Sequence, residues 1–238
     1  MPIPTERPRI ALIHALAESV APIHAAFAAH WPEAVIFDLL DTSLARDLVH
    51  TGLDEAMVRR FVTLGQYAER SVGEGGRTAA LLFTCSAFGP AIDAVKRAVS
   101  IPALKPNEAA FEDALSYGPR IGLLVSFAPS RASLSDELRA HAARLGQPIH
   151  IEARVVEGAL DALKRGDVDS HDRYVAQAAE QLTDVDSLVL GQFSLARAAA
   201  AIEPRPGRRV ITTPASAVLK LKTLLAPRTF PDGSSGAS

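Results

Sequence analysis

A chain of 238 residues, nearly half of them apolar and with a net charge of −2, can bury a large core but lacks the basic surface that binds nucleic acid. It contains no run of ~18 apolar residues, which argues against a helical membrane span, and its single cysteine excludes an internal disulfide or a cysteine-cluster metal site. The opening MPIPTERPRIAL is interrupted by Glu6 and by prolines and does not read as a signal peptide, and the lone thiol fits a reducing cytoplasm.

In chain order, Arg9 to His14 reads as a buried strand, and a helix follows from about Glu18 to His30. Val35 to Leu39 is a second strand, ending in the polar cluster Asp41-Thr42-Ser43. Asp54 caps a helix that runs to about Ser71. Gly73 to Gly76 lacks the spacing of a phosphate loop and precedes a strand, so it reads as a turn. Thr78 to Thr84 is a third buried strand, and Cys85 stands where it stops. Ser86 then suits an N-cap, and Pro90 suits the first turn of a helix carrying Ala91, Ile92 and Val95. Ile101 to Leu104 is a fourth strand, and Asn107 caps a helix to about Tyr117.

At Arg120 the order of events begins again. RIGLLV at Arg120 to Val125 repeats RIALIH at Arg9 to His14, and Ile149 to Val155 takes the place of the second strand. A helix from Val168 to Leu182 leads to the strand Ser187 to Leu190. That strand ends in Gly191-Gln192-Phe193-Ser194, in the position of Thr84-Cys85-Ser86-Ala87. A last strand, Arg209 to Thr212, is followed by a helix opened by Pro214. The expected fold is α/β, with two pseudo-symmetric lobes, each a mostly parallel sheet flanked by helices, and the active site in the cleft between them. Residues 1–117 form the first lobe, completed by a C-terminal helix at 214–226. Residues 118–213 form the second lobe, and 227–238 read as a small, polar, disordered tail.

Ligands of open α/β sheets sit at the carboxyl ends of strands, where Cys85 falls. A thiol beside the N–H groups and positive dipole of a helix start is expected to favour its thiolate, and the same N–H groups suit a carboxylate. Duplication places Gln192 opposite Cys85, where its amide can orient a carboxylate but not exchange a proton. His14 ends the first strand and is the natural proton partner for a thiol. Thr84, Ser86, Ala87 and Phe88 surround Cys85 in sequence, as Phe193 and Ser194 surround Gln192, and all six are candidate substrate contacts. Ser126, Asp41 and Lys105 stand at other strand ends and are further candidate substrate contacts, with Lys105 a candidate partner for a second carboxylate. The other histidines show no metal-ligand spacing.

With these residues in view, Arg9 to Leu225 resembles the aspartate/glutamate/hydantoin racemase superfamily, whose members include arylmalonate decarboxylase and maleate isomerase. The resemblance rests on Phe83-Thr84-Cys85-Ser86-Ala87 and on Val189-Leu190-Gly191. It implies an enzyme without cofactor or metal, in which two cysteines, one per lobe, exchange protons on opposite faces of a substrate α-carbon. The second of those cysteines falls on Gln192 here, and the decarboxylase relatives also keep a single thiol, in the other lobe.

The expected function is therefore cofactor-independent proton transfer at the carbon next to a carboxylate, by a racemase or isomerase acting on an amino acid or derivative through Cys85. One alternative is a single-thiol decarboxylase of a malonate-like acid, and another is a carboxylate-binding protein without catalysis. The expected partner is a small carboxylate, with no nucleic acid and no membrane, and a homo-oligomer is compatible with the sequence.

Overall fold

The computed structural model describes residues 7–226. The tail expected to be disordered and most of the prolyl N-terminus lie outside the described residues.

Two sheets organise the molecule. The first is built from β1 (Arg9–His14), β2 (Val35–Leu40), β3 (Val72–Gly73), β4 (Gly76–Phe83) and β5 (Ala103–Leu104). Its order is β2-β1-β4-β3, with β5 also on β4, and every pairing is parallel except the β3–β4 hairpin at the glycine turn. The second contains β6 (Arg120–Val125), β7 (His150–Val155), β8 (Ser187–Leu190) and β9 (Arg209–Thr212), all parallel in the order β7-β6-β8-β9. The central strand of each sheet pairs with the same two successors in turn, so the repeat legible in the sequence is a repeat of topology.

Strands buried on both faces explain the unbroken apolar runs. Ile10, Leu12 and Leu82 face one side of the first sheet, while Ala11, Ile13, Leu81 and Phe83 face the other. The second side is covered by α3 (Glu55–Arg70) and α4 (Gly89–Ala98), through Met57, Phe61, Ile92 and Val95. Asp54 caps α3 as expected, accepting from the Met57 N–H at 2.8 Å. The first side is covered by α1 (Val20–His30) and by the final helix, α9 (Thr213–Leu224), whose Ala217, Val218 and Leu221 join that core. Helix α2 (Ser43–Thr51), whose polar start follows directly on the end of β2, runs beside the cleft.

The C-terminal helix thus belongs to the first sheet, and the exchange is reciprocal. Helix α5 (Glu108–Tyr117) buries Ala110, Phe111, Ala114 and Leu115 against Ile121, Leu123 and Val189 of the second sheet, together with Leu134 and Leu138 of α6 (Ser130–Arg144). A lobe boundary at residue 117 therefore separates α5 from the core that it completes. The remaining face of the second sheet is covered by α7 (Ala159–Lys164) and α8 (Val168–Glu180). Each burial of a large side chain contributes roughly 1.5–3 kcal/mol, so the crossed helices hold the lobes together.

Asn107 stands at the start of α5 but does not cap it. Its side chain is wholly buried and donates to the Gly191 carbonyl at 2.8 Å, joining the first-lobe connection to the end of β8. Gly191 is needed there, because a Cβ would lie 2.8 Å from Leu123 Cδ1 and 3.1 Å from the Leu124 carbonyl. Asn107→Ala is expected to lose about 1–3 kcal/mol of stability by leaving that carbonyl unpartnered. Urea unfolding measures it, and an unchanged midpoint would contradict the contact.

Candidate active site

Both halves of the repeat place the same local structure at the carboxyl end of a central strand. Beyond β4 the chain stays extended at Cys85 (φ −116°, ψ 121°) and then turns into a 3-10 segment, Ser86–Phe88, that feeds α4. Beyond β8 it stays extended at Gln192 (φ −139°, ψ 145°) and turns into a 3-10 segment, Phe193–Ala201. Cys85 and Gln192 are thus equivalent residues of the two halves. Both line an inner recess of about 30 Å³ and the larger cavity outside it, of about 410 Å³, which opens between the lobes.

The thiol is more enclosed than its position at a strand end suggests. Burial pushes the Cys85 thiol up to about 11, against the pull of a hydrogen bond from the Ala87 N–H. The sequence expectation of a favoured thiolate is overturned, because desolvation opposes charge more strongly than one N–H donor and a short 3-10 turn support it. At neutral pH the thiol is therefore held in its protonated form. Alkylation by iodoacetamide is accordingly expected to be slow at neutral pH and to rise with hydroxide concentration towards pH 11. A plateau near the ordinary thiol value of 9.0 would contradict the enclosure.

Gln192 is held by its carbonyl. Its Oε1 accepts from the Ser126 N–H at 2.6 Å, the Ser126 hydroxyl at 2.8 Å and the Phe127 N–H at 3.2 Å. Three donors fix the amide orientation, so the NH2 group is the part of the head group left for a ligand. Ser126, expected to bind a substrate carboxylate, gives both its donors to Gln192 instead.

Thr84 and Ser86 line the inner recess with Ser194. Ala87 lines the outer cavity, as does Phe88, although the Phe88 ring is fully buried and packs 4.6 Å from Phe61, centroid to centroid. Phe193 likewise lines the recess but belongs to the core of the first sheet.

Three expected site residues are placed elsewhere. His14 is completely buried and lines neither cavity of the cleft: its Nε2 lies 2.9 Å from Asp38 Oδ1, and its Nδ1 lies 2.9 Å from Thr84 Oγ1 and 3.1 Å from Ser19 Oγ. Burial holds its pKa below the usual 6.5 despite Asp38, so the ring is a neutral strut behind Thr84. Asp41 accepts from the Ser43 N–H at 3.0 Å and from Arg60 at 2.8 Å, closing its own loop. Burial raises its pKa, but these donors outweigh that and hold it low. Lys105 pairs with Asp93 at 2.9 Å and with Glu137 of α6 at 3.5 Å. It ties the lobes together and is not spare for a second carboxylate.

The cavity walls add residues that the sequence reading missed. Leu16, Leu48, Val49 and Leu160 give the outer cavity an apolar lining, and Arg46 and Lys164 bring two cations to it. Glu18 lines both the recess and the outer cavity. The rule that strand ends carry ligands pointed to the residues after β1 and β7, and the pattern ALDALK after β7 was the missed signal for α7. Among the described residues no group of three His, Cys, Asp or Glu side chains is placed to hold a metal ion, and no helix is long and apolar enough to cross a membrane.

Comparison with known proteins agrees with this fold. The fold is similar to that of a glutamate racemase isoform from Bacillus anthracis (15% identity, TM-score 0.67, covering 92% of this chain and 82% of that one). It is also similar to the allantoin racemase of Klebsiella pneumoniae (18% identity, TM-score 0.67, 92% and 88% covered). A glycine-to-cysteine mutant of arylmalonate decarboxylase, in its sulfate-associated form, aligns at 18% identity with a TM-score of 0.60, covering 94% and 97%. No curated protein sequence matches significantly. The family profile described as Asp/Glu/Hydantoin racemase matches residues 16–221, from the turn after β1 to the last helix. The chain belongs to the Asp/Glu/hydantoin racemase family, a family of isomerases with a decarboxylase among its structural relatives.

Proposed function

We propose that the protein is a cofactor-independent isomerase that moves a proton at the carbon next to a carboxylate, with Cys85 as one proton-transfer group. The observation that carries this reading is that the only thiol lines a recess shared by both lobes, facing the segment that repeats its own backbone. A substrate carboxylate fits between the two 3-10 starts, where the first N–H groups of Ser86 and of Phe193 and Ser194 have no partner within their own turns. The Gln192 amide and the Ser194 hydroxyl add donors. Together they can hold the enediolate that forms when the α-proton leaves, and preorganised donors of this kind contribute typically ~2.7–4 kcal/mol each. The apolar lining favours a hydrophobic substituent on that carbon, and Arg46 and Lys164 draw the anion in.

A second reading, decarboxylation of a substituted malonate-like acid, is favoured by one specific feature: the resting thiol is protonated and there is only one. Loss of CO2 generates the same enediolate, which then needs a single proton donor. Incubation in heavy water with amino acids, hydantoins and aryl- or alkyl-substituted malonates decides between them. Isomerisation gives inversion with deuterium at the α-carbon, and decarboxylation gives CO2 with one deuterium in the product. Binding without either would leave only a carboxylate-binding protein.

A further inference from the structure

Inversion at a carbon needs a second proton-transfer group on the face opposite the first, and Gln192 is not one: its amide does not titrate near neutral pH and its carbonyl is already held by Ser126 and Phe127. We infer that Glu18 is the second catalytic group, taking the place of the absent thiol from a different strand end. This rests on the proton-transfer reading above.

Glu18 sits on the 3-10 turn Ala17–Ser19, directly after β1, and the following Ser19 fixes that turn. The Ser19 hydroxyl donates to the Leu16 carbonyl at 2.7 Å and lies 2.8 Å from Thr84 Oγ1, the residue before Cys85. The turn also packs on the 3-10 segment that starts at Phe193. Glu18 is thereby placed against both halves of the site. It lines the inner recess with Cys85 and Gln192, the outer cavity with both, and a third groove of about 580 Å³ on its far side with Ser194 and Arg197. The residue is half-buried, and its carboxylate makes no hydrogen bond or ion pair among the described residues. Neighbouring acids differ: Asp38 holds two histidines, Asp41 holds Arg60, and Asp172 holds Arg197. Of the carboxylates near the cleft, Glu18 is the one that lines it with no hydrogen-bond or ion-pair partner among the described residues.

The proton balance closes with these two groups. The Glu18 carboxylate takes the α-hydrogen of one enantiomer as a proton, and the electron pair of the broken C–H bond passes into the enediolate. The Cys85 thiol then gives its proton to the opposite face, the new C–H bond forms, and a thiolate and a protonated Glu18 remain. The other enantiomer runs the same steps in reverse, or exchange with water through the outer cavity resets both groups.

The test is Glu18→Gln, which keeps size and polarity but cannot carry the proton, with Glu18→Asp as the conservative variant. Both enantiomers of an active substrate are followed in heavy water, by optical rotation for inversion and by mass spectrometry for α-deuterium. Glu18→Gln is expected to lower inversion on the order of 10²-fold or more. It should abolish α-exchange in the enantiomer whose hydrogen faces Glu18 at every pH, while exchange in the one facing Cys85 should return as the thiol ionises towards pH 11. Glu18→Asp should restore part of the inversion. Unaltered inversion, or equal loss of exchange from both enantiomers at a pH where the thiolate forms, would overturn the assignment. A wild-type protein that exchanges no α-hydrogen on any substrate overturns the proton-transfer reading and this assignment together. An active wild type with an unaffected Glu18→Gln variant overturns the assignment alone.

Discussion

Replacing Cys85 by alanine is expected to lower α-proton exchange by about 10²- to 10⁴-fold while the protein stays folded, because a positioned acid or base typically supplies that much. The fold should tolerate the change. Cys85 makes no side-chain cap for the turn it starts and packs only at the border of the core formed by Phe61, Phe83 and Phe88. Cys85→Ser should fare little better than alanine, since a hydroxyl placed in the same desolvated recess is a far poorer proton donor than a thiol. The comparison separates chemistry from architecture: a purely structural cysteine would be rescued by serine or by alanine. Exchange at the wild-type rate in Cys85→Ala, with an unchanged melting temperature, would remove the thiol from the mechanism.

Changing Gln192 to glutamate is expected to weaken carboxylate binding by about 10- to 100-fold, seen as a raised KM or inhibitor constant, without loss of stability. The side chain is isosteric, and one carboxylate oxygen can keep the three donors from Ser126 and Phe127, now as charge-assisted bonds. What changes is the group turned to the ligand. An NH2 donor becomes an anion, so a bond to a charged group worth roughly 1.5–3 kcal/mol is lost and a repulsion appears. Thermal melting alongside titration with a non-reacting carboxylate distinguishes the outcomes. Unchanged affinity would mean that the amide does not meet the ligand.

Much of the scaffold was legible because its strands are short apolar runs with clear ends. Ser187–Leu190 and Arg209–Thr212 could be bounded from composition alone, since parallel strands buried on both faces admit almost nothing polar. The duplication was legible for the same reason: RIALIH and RIGLLV occupy the same central position in their sheets. Helix α2 was less visible, because its polar start at Ser43 follows directly on a loop cluster that reads as a turn. The 3-10 segment from Phe193 was missed because its alanine-rich sequence carries no helical periodicity. Asn107 illustrates the limit of cap signals: its place before α5 is right for a cap, yet a buried carbonyl across the lobe boundary had the stronger claim on its amide.

By itself, then, the sequence determined the α/β class, the doubled order of strands and helices, the single thiol at a strand end and the amide in its twin position. These follow from local apolar patterning and from residue identity. Tertiary structure alone decided which polar groups meet. His14, Asp41 and Lys105 were attractive as free residues, but each finds a partner from a distant element — Asp38, Arg60, or Asp93 with Glu137 — and is used up in holding the fold. The same packing that dehydrates Cys85 and raises its pKa leaves Glu18 lining the cavity without a partner among the described residues. Which side chains are satisfied and which remain free is a property of long-range contacts, and spacing along the chain does not record it.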